Sequence, residues 1–282
     1  MQKIRTIDRI IKSKPVIDGA GVKLNRFFGY YESKLFDPFL LLDFFGSDNP
    51  DDYIAGFPWH PHRGIETVTY MLEGMVEHGD SMGNSGVINS GDIQWMTAGS
   101  GIIHQEMPRK YEGTMRGFQL WVNLPAIHKM MNPRYQDIPA KDIPKITLEN
   151  NIEIKVIAGE FNGKKGPVKD IIADPIYYDI SIPPQKEFML EVKPDYTVFA
   201  MIFEGEGFFD ETLSNVIKSK EIVSLKNGNC VKFSTRSNHL RFIFVSGKPL
   251  NEPIAWGGPI VMNTQEELDT AFKEYREGNF IK

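Results

Sequence analysis

The sequence predicts an all-β protein built from two β-barrels of similar size, with a short helix at its C-terminal end. Three observations lead to this fold class. Segments with strand character are short and recur about every 8 to 12 residues. Glycine and proline, 25 and 18 of the 282 residues, supply turns and disfavour long helices. The pattern of strands and turns in the first half also returns in the second.

The strands expected in the first half each end in a turn. The clearest are the segments 67–72, 86–89 and 117–124. Each of them runs into turn residues, namely Glu73-Gly74, Ser90-Gly91 and Pro125. This spacing is typical of antiparallel strands joined by short loops.

The second half repeats the arrangement, with strand segments at 151–158, 177–182, 196–203, 221–225 and 240–246. The Glu-Gly turn after the strand at 67–72 has a counterpart in Glu204-Gly205, and Ser90-Gly91 has one in Asn227-Gly228. The repetition predicts two copies of one barrel unit.

The boundary between the two barrels is expected near residue 140. The stretch from Pro125 to Pro144 is polar and rich in proline, as linkers are. The predicted domains are therefore 1–140 and 141–282, the second ending in a helix. That helix begins at Thr264, where Glu267 completes a capping box, and stops at Gly278.

Charge and composition exclude several function classes. The chain carries 32 Lys and Arg against 37 Asp and Glu, a net charge of −5 with the two signs interspersed, which disfavours direct nucleic-acid binding. No stretch reaches the roughly 18 apolar residues of a membrane span, and the charged start lacks the apolar run of a signal peptide. We therefore expect a cytoplasmic protein without a membrane partner, present also in the nucleus if the source is eukaryotic. The single cysteine excludes a disulfide framework and thiolate metal sites.

Two pairs of potential metal ligands stand out in the first half. His60 and His62 are two residues apart, and His104 and Glu106 repeat that spacing. On an extended chain, side chains at i and i+2 leave the same face about 6.7 Å apart. If the two strands face each other across the barrel, the four side chains form a His₃Glu site with open coordination positions, which is typical of catalytic rather than structural metals.

The residues around these pairs resemble two cupin motifs. The first motif is matched by Gly56, His60, His62, Glu66 and Gly74, and the second by Gly91, Gly99 and His104. Further segments resemble the pirin family in particular, namely 37–45, 95–99, 103–108, 120–124 and 258–264. The similarity extends over nearly the whole chain. It implies a bicupin, a chain of two cupin barrels, with one iron ion in the N-terminal barrel.

The resemblance also implies roles for individual residues. It places the iron(II) ligands at His60, His62, His104 and Glu106, although in many other cupins the carboxylate of the first motif, here Glu66, binds the metal. With the pirin assignment, Glu66 is expected behind the ligands, where it orients an imidazole. The chemistry of Arg63 fits two roles equally, anchoring an anionic substrate or binding a loop carboxylate.

The remaining histidines carry less signal. His78 lies beyond a glycine turn, which favours a solvated hairpin residue over a role at the barrel mouth. His239 stands alone in the second half, which has no His-x-His pair. We therefore expect no transition-metal site in the second barrel.

Two classes of function agree with this sequence. Some pirins are flavonol (quercetin) dioxygenases, which implies a small aromatic enol and O₂ as substrates and Glu106 as the catalytic base that takes the enol proton. Other pirins are described as transcriptional coregulators or modulators of metabolic enzymes, which implies an iron-dependent protein partner and no catalysis. Both readings use the same ligands, so that purified protein should contain iron, or nickel or zinc acquired during expression.

Overall fold

The computed structural model describes residues 2–282, and its secondary structure consists mostly of antiparallel strands. The strands of the first 140 residues are β1 (Thr6–Lys12), β2 (Lys14–Asp18), β3 (Val22–Phe28), β4 (Phe39–Ser47), β5 (Phe57–His62), β6 (Ile65–Glu73), β7 (Val76–Asp80), β8 (Ser85–Ile88), β9 (Ile93–Thr97), β10 (Ile102–Pro108), β11 (Met115–Asn123) and β12 (Arg134–Ile138). The remaining strands are β13 (Lys145–Thr147), β14 (Glu153–Ala158), β15 (Glu160–Phe161), β16 (Lys164–Lys165), β17 (Ile176–Ile182), β18 (Glu187–Glu191), β19 (Thr197–Gly207), β20 (Ile217–Lys218), β21 (Glu221–Lys226), β22 (Cys230–Ser234), β23 (Leu240–Gly247), β24 (Ala255–Gly257) and β25 (Ile260–Met262). The prediction of an all-β chain is confirmed.

Helices are short and few among the described residues. They are α1 (Ser33–Phe36), α2 (Gln265–Arg276) and single 3₁₀ turns at Pro50–Asp52, Ala126–His128 and Ala140–Asp142. The expected C-terminal helix is α2: the Thr264 hydroxyl accepts the Glu267 amide, and the Glu267 carboxylate accepts the Thr264 amide. None of these helices is long and apolar enough to cross a membrane.

The chain divides into two compact units. The first barrel comprises residues 14–140 and 250–282, and the second barrel comprises residues 2–13 and 141–249. The first barrel has a seven-stranded sheet in the order β12-β9-β6-β11-β4-β3-β2 and a four-stranded sheet in the order β5-β10-β7-β8. The second barrel is formed around a sheet in the order β1-β21-β19-β23-β17-β14-β13, with β20 beside β19 and the pair β18-β22.

This grouping differs from the contiguous domains 1–140 and 141–282 expected from the sequence, because both ends of the chain change units. Strand β1 pairs antiparallel with β21, from Thr6 opposite Lys226 to Lys12 opposite Glu221, so that it belongs to the second barrel. Helix α2 packs on the β24-β25 hairpin through a buried cluster in the first barrel, to which Ile260, Leu268 and Ala271 contribute. The β1 pairing joins residues more than 200 positions apart, and Arg63 bonds to Glu274 of α2 over a similar distance along the chain, so that neither contact leaves a trace in the local pattern.

The interior of the second barrel is filled by apolar side chains. Its core cluster includes four packed phenylalanines, Phe209, Phe233, Phe242 and Phe244, with ring centroids 5.0–5.9 Å apart for the neighbouring pairs. Cys230 is fully buried in this unit, as expected of a small core residue. Packing of this kind stabilises the unit through burial of apolar surface.

Candidate metal centre

The two histidine-bearing segments are neighbouring strands of one sheet. Strands β5 and β10 pair antiparallel, with His104 directly opposite His60 and Ile102 opposite His62. The expectation that these strands face each other across the barrel is therefore wrong. The expected convergence of the histidine side chains is nevertheless observed. Directly opposed residues of a ladder share a face, as do residues at i and i+2, so that the three imidazoles lie on one side of the sheet.

The three imidazoles converge through their Nε2 atoms. Nε2 of His60 lies 3.1 Å from Nε2 of His62, and the ring centroid of His104 lies 4.4 Å and 5.1 Å from those of His60 and His62. One ligand atom from each histidine lies within 4.8 Å of the other two. His62 and His104 are buried, and His60 is half-buried. This is the only such group of three His, Cys, Asp or Glu residues within residues 2–282.

Hydrogen bonds on the opposite side of each ring determine which nitrogen faces the centre. Nδ1 of His60 lies 2.9 Å from the Pro58 carbonyl oxygen, and Nδ1 of His62 lies 3.0 Å from that of Pro259. A carbonyl oxygen can only accept, so both Nδ1 atoms carry the hydrogen. Nδ1 of His104 lies 3.0 Å from the Tyr135 hydroxyl. The Nε2 atoms of neutral rings then present lone pairs to one another.

Burial keeps two of the rings uncharged. It lowers the pKa of His62 to about 3, an effect that His60 reinforces and the Pro259 carbonyl opposes. Burial lowers the pKa of His104 as well, with further lowering by the neighbouring histidines. Near neutral pH these imidazoles are therefore in the form that binds metals.

This donor set fits a metal ion better than a shared proton. Two nitrogen lone pairs 3.1 Å apart repel each other unless positive charge lies between them. A proton between His60 and His62 would leave Nε2 of His104, which is buried and has no hydrogen-bond partner, unsatisfied. An ion that accepts all three lone pairs satisfies every Nε2 atom, and imidazole donors suit iron, nickel, copper and zinc.

Glu106 lies beside the histidine cluster but is not one of the three mutually close groups. The ladder between β10 and β5 is irregular between His104 and Glu106, and Oε1 of Glu106 accepts a hydrogen bond of 3.0 Å from the Thr69 hydroxyl. Burial raises the pKa of Glu106, and this effect is opposed by His60, Thr69 and His78. Its carboxyl group lines the same cavity as His60 and His62.

Glu66 is not where the sequence places it. Oε1 of Glu66 accepts from the Thr97 hydroxyl at 2.7 Å, and Oε2 is buried without a hydrogen-bond partner, so that no imidazole is oriented by this residue. The reason is the two-residue period of strand β6: Thr69 faces Glu106, which puts Glu66 on the opposite face of the sheet. Burial raises the pKa of Glu66, against the effects of Thr97, Trp95 and Arg134.

Of the two roles considered for Arg63, anchoring a substrate or binding a carboxylate of the protein, the structure shows the second. Its guanidinium is buried, donates to Glu274 at 2.7 Å and to the Phe280 carbonyl at 2.8 Å, and lies 4.3 Å from the centre of the Phe280 ring. The carboxylate belongs to helix α2 rather than to a loop. Arg63 thus ties the end of the chain to strand β5, and it does not line the cavity.

The sequence missed the groups that hold the rings in place. Tyr135, on strand β12, bonds to His104, and its ring stacks on His78 at 5.5 Å. His78 is therefore buried rather than solvated, and its Nε2 lies 3.6 Å from the Asp137 carboxylate. No sequence signal marks Tyr135, and none marks the Pro259 carbonyl, which lies 197 residues beyond His62. The glycine turn before His78 was a misleading signal, because such a turn precedes a buried strand as readily as an exposed loop.

A cavity opens from the histidine cluster into the first barrel. It contains about 710 Å³ of empty space including its mouth, and its lining is mostly apolar. His60, His62 and Glu106 lie in its wall, next to Trp121, whose ring is 5.1 Å from that of His62. A second cavity, of about 1310 Å³ including the open space at its mouth, shares His60, His62 and Trp121 and adds Tyr30 and Trp256. About 650 Å³ of the second cavity admits solvent, which is in the range of about 300–1,000 Å³ typical of small-molecule sites.

Known proteins resemble this chain along its whole length. The Pirin family model matches residues 21–122, and the model described as Pirin C-terminal cupin domain matches residues 177–281. A pirin-like protein of Caulobacter vibrioides is 42% identical over 278 residues, which are 98% of this chain and 99% of the relative. Pirin-like protein 2 of Arabidopsis thaliana is 42% identical over 94% of this chain and 85% of its own.

A solved structure agrees with these relatives. The crystal structure of a quercetin 2,3-dioxygenase from Acinetobacter baumannii superposes with a TM-score of 0.91 at 33% sequence identity, covering 99% of each chain. The family models together match more than half of the residues, and the relatives match nearly all of them. The chain is a member of the pirin family.

Proposed function

We propose that this protein is an iron-dependent dioxygenase that opens flavonols such as quercetin. The observation that carries the proposal is the set of three converging imidazole nitrogens, two of which belong to histidines that line a mostly apolar cavity. A protein-binding regulator needs the metal but not the cavity. The likeness to a quercetin 2,3-dioxygenase from Acinetobacter baumannii supports the same reading.

The proposed iron ligands are His60, His62, His104 and Glu106. The three histidines supply imidazole nitrogens, and Glu106 supplies a carboxylate two residues after His104. When bound, iron(II) lowers the pKa of the flavonol enol and holds the substrate and O₂ next to each other. Nickel and zinc fit the same donors, so that protein purified without added iron is expected to contain them in part.

Glu106 is the proposed base for the enol proton. Its raised pKa makes it a stronger base than a solvated carboxylate, which favours proton transfer near neutral pH. The Thr69 hydroxyl bonds to Oε1 and fixes the orientation of the group. The apolar wall excludes water from the bound enolate, and the adjoining Trp121 ring offers a flat surface for an aromatic substrate.

The proposed reaction consumes one flavonol and one O₂ and gives a depside and carbon monoxide. The test is anaerobic reconstitution with iron(II), followed by measurement of O₂ consumption and carbon monoxide release with quercetin. We expect both with the wild-type protein and neither with His62→Ala, because that variant lacks one of the three converging nitrogens. His128→Ala, which changes a histidine outside the cluster, is the matched control and should behave as wild type.

If the iron-loaded wild-type protein consumes no more O₂ than His62→Ala, the dioxygenase proposal is contradicted. The iron-dependent protein-binding role would then be the better account. A loss of activity in His128→Ala equal to that in His62→Ala would instead show that the effect does not come from the cluster.

A further inference from the structure

A row of polar side chains crosses the otherwise apolar inner face of the first barrel. The pairs Arg26 opposite Asp43, Asp43 opposite Gln119 and Gln119 opposite Thr69 follow one another across strands β3, β4, β11 and β6. Thr69 lies 2.7 Å from Gln119 and donates to Glu106 at the metal centre. Neighbouring strands are about 4.8 Å apart, so that the row extends roughly 14 Å from Thr69 to Arg26 along the sheet.

Arg26 lies at the far end of this row, and its guanidinium has hydrogen-bond donors at Nη1 that no residue of the row engages. Its Nε and Nη2 atoms bond to the two oxygens of Asp43 at 2.8 Å and 2.7 Å, and Nη2 also bonds to Asp18 at 2.8 Å. Among residues 2–282, no hydrogen bond engages Nη1. Arg26 lines both cavities that His60 and His62 line, and its side chain is 28% exposed. A guanidinium held in place through Nε and Nη2, with Nη1 not engaged, in a side chain that lines a cavity, is a preorganised donor for a ligand.

We propose that Arg26 forms a second binding subsite, in which Nη1 donates to a phenolic hydroxyl at the end of the ligand remote from the metal. This proposal rests on the proposed function, because it gives the flavonol an orientation in the cavity. In this orientation, the enol of the flavonol lies at the metal centre, and the hydroxyls of its pendant ring lie at Arg26.

The charges around Arg26 favour a phenol over an anion. Asp43 is buried beside the guanidinium, and Asp18 lies at its exposed side, so that two carboxylates already surround one positive charge. An added carboxylate would be repelled by both. A phenolic hydroxyl can accept from Nη1 and donate its own proton to a carboxylate, which satisfies both partners.

The other polar members of the row have less to offer a ligand. The Thr69 hydroxyl is shared between Glu106 and Gln119, and Asp43 is engaged by Arg26 on both oxygens. The residues on either side of the row, such as Leu24, Leu41 and Phe45, are apolar. Gln119 lies opposite Thr69, at the end of the row nearer the metal centre, so that recognition of a distal hydroxyl falls to Arg26.

The test compares two flavonols in iron(II)-loaded protein under nitrogen, where binding is measured without turnover. Quercetin carries two hydroxyls on its pendant ring, and galangin is the same flavonol without them. The variant is Arg26→Met with Asp43→Leu, which removes both charges and leaves no buried carboxylate unpaired. Arg26→Lys is a second variant, which keeps a positive charge beside Asp43 but lacks the Nη1 donor. Arg116→Lys, at an arginine paired with Glu73 outside the cavity, is the matched control.

We expect the double variant to weaken quercetin binding about tenfold or more and to leave galangin binding unchanged. Arg26→Lys should also raise the dissociation constant of quercetin relative to that of galangin. Arg116→Lys should leave this ratio of the two dissociation constants unchanged. If the ratio of the two dissociation constants stays at its wild-type value in both Arg26 variants, or if both flavonols are weakened alike, the subsite proposal is overturned while the proposed function stands. If wild-type protein binds neither flavonol, the proposed function itself fails, and the subsite fails with it.

Discussion

At the scale of single residues, the metal centre depends on hydrogen bonds made by the far side of each imidazole. The ligand histidines are visible in the sequence because strand geometry puts residues i and i+2 on one face. Their partners are not visible, because Pro58 and Pro259 contribute only carbonyl oxygens and Tyr135 is one tyrosine among ten. Groups behind metal ligands fix the tautomer and the orientation of the ring.

Removal of the Tyr135 hydroxyl tests this dependence. In Tyr135→Phe, Nδ1 of His104 loses its only hydrogen-bond partner, and we expect metal affinity to fall about tenfold or more. The measurement is the dissociation constant for iron(II) or nickel(II) by competition with a chelator. Tyr178→Phe is the control, since it removes another buried tyrosine hydroxyl, bonded to the Glu160 carbonyl in the second barrel. Equal affinity in wild type and Tyr135→Phe would show that this phenol does not support the site.

At the scale of elements, the β24-β25 hairpin completes the site that strands β5 and β10 begin. The Val261 amide donates to the Arg63 carbonyl, and the Lys129 ammonium donates to the carbonyls of both Gly64 and Val261. Gly64 lies in the short connection between β5 and β6 and has φ +77°, and a Cβ atom there would lie 2.0 Å from the Val261 carbonyl oxygen. This close approach holds Pro259 within reach of His62.

Gly64→Ala should therefore destabilise the protein by more than the cost of positive φ alone. We expect a loss of about 3 kcal/mol in the free energy of unfolding, together with a lower affinity for the metal. Gly83→Ala is the matched control, because Gly83 also has positive φ but has open space around its Cβ position, and it should lose about 1 kcal/mol. Urea unfolding of the two variants measures both values. Similar losses in both would contradict the role given to the contact with Val261.

At the scale of the whole molecule, the sequence predicts the architecture well and the chain connectivity less well. The strand period, the turns and the capping box at Thr264 are local, and the all-β fold and helix α2 that they predict are confirmed. The assignment of β1 to the second barrel depends on pairing with residues more than 200 positions away. The location of α2 in the first barrel likewise depends on distant contacts, such as that between Glu274 and Arg63, which lies 211 positions earlier. Such pairings follow from tertiary packing, which no local pattern encodes.

The candidate site shows the same division. The pairing of His60 with His62, and the place of His104 beside them, could be predicted, because the sequence pattern and the strand geometry agree there. Glu66 was misplaced because its role was taken from a motif rather than from the face of β6 on which it lies. Arg26 went unnoticed because its partner Asp43 is 17 residues away and nothing in either segment indicates that they meet inside a barrel.

The central claim is that His60, His62 and His104 hold one metal ion per chain. Its most direct test is anaerobic titration of metal-free protein with iron(II), with the bound metal counted after gel filtration. The account predicts close to one iron per chain for the wild type and for His128→Ala, and little retained iron for His62→Ala. Retention of a full equivalent of iron by His62→Ala, with the protein still folded, would contradict it.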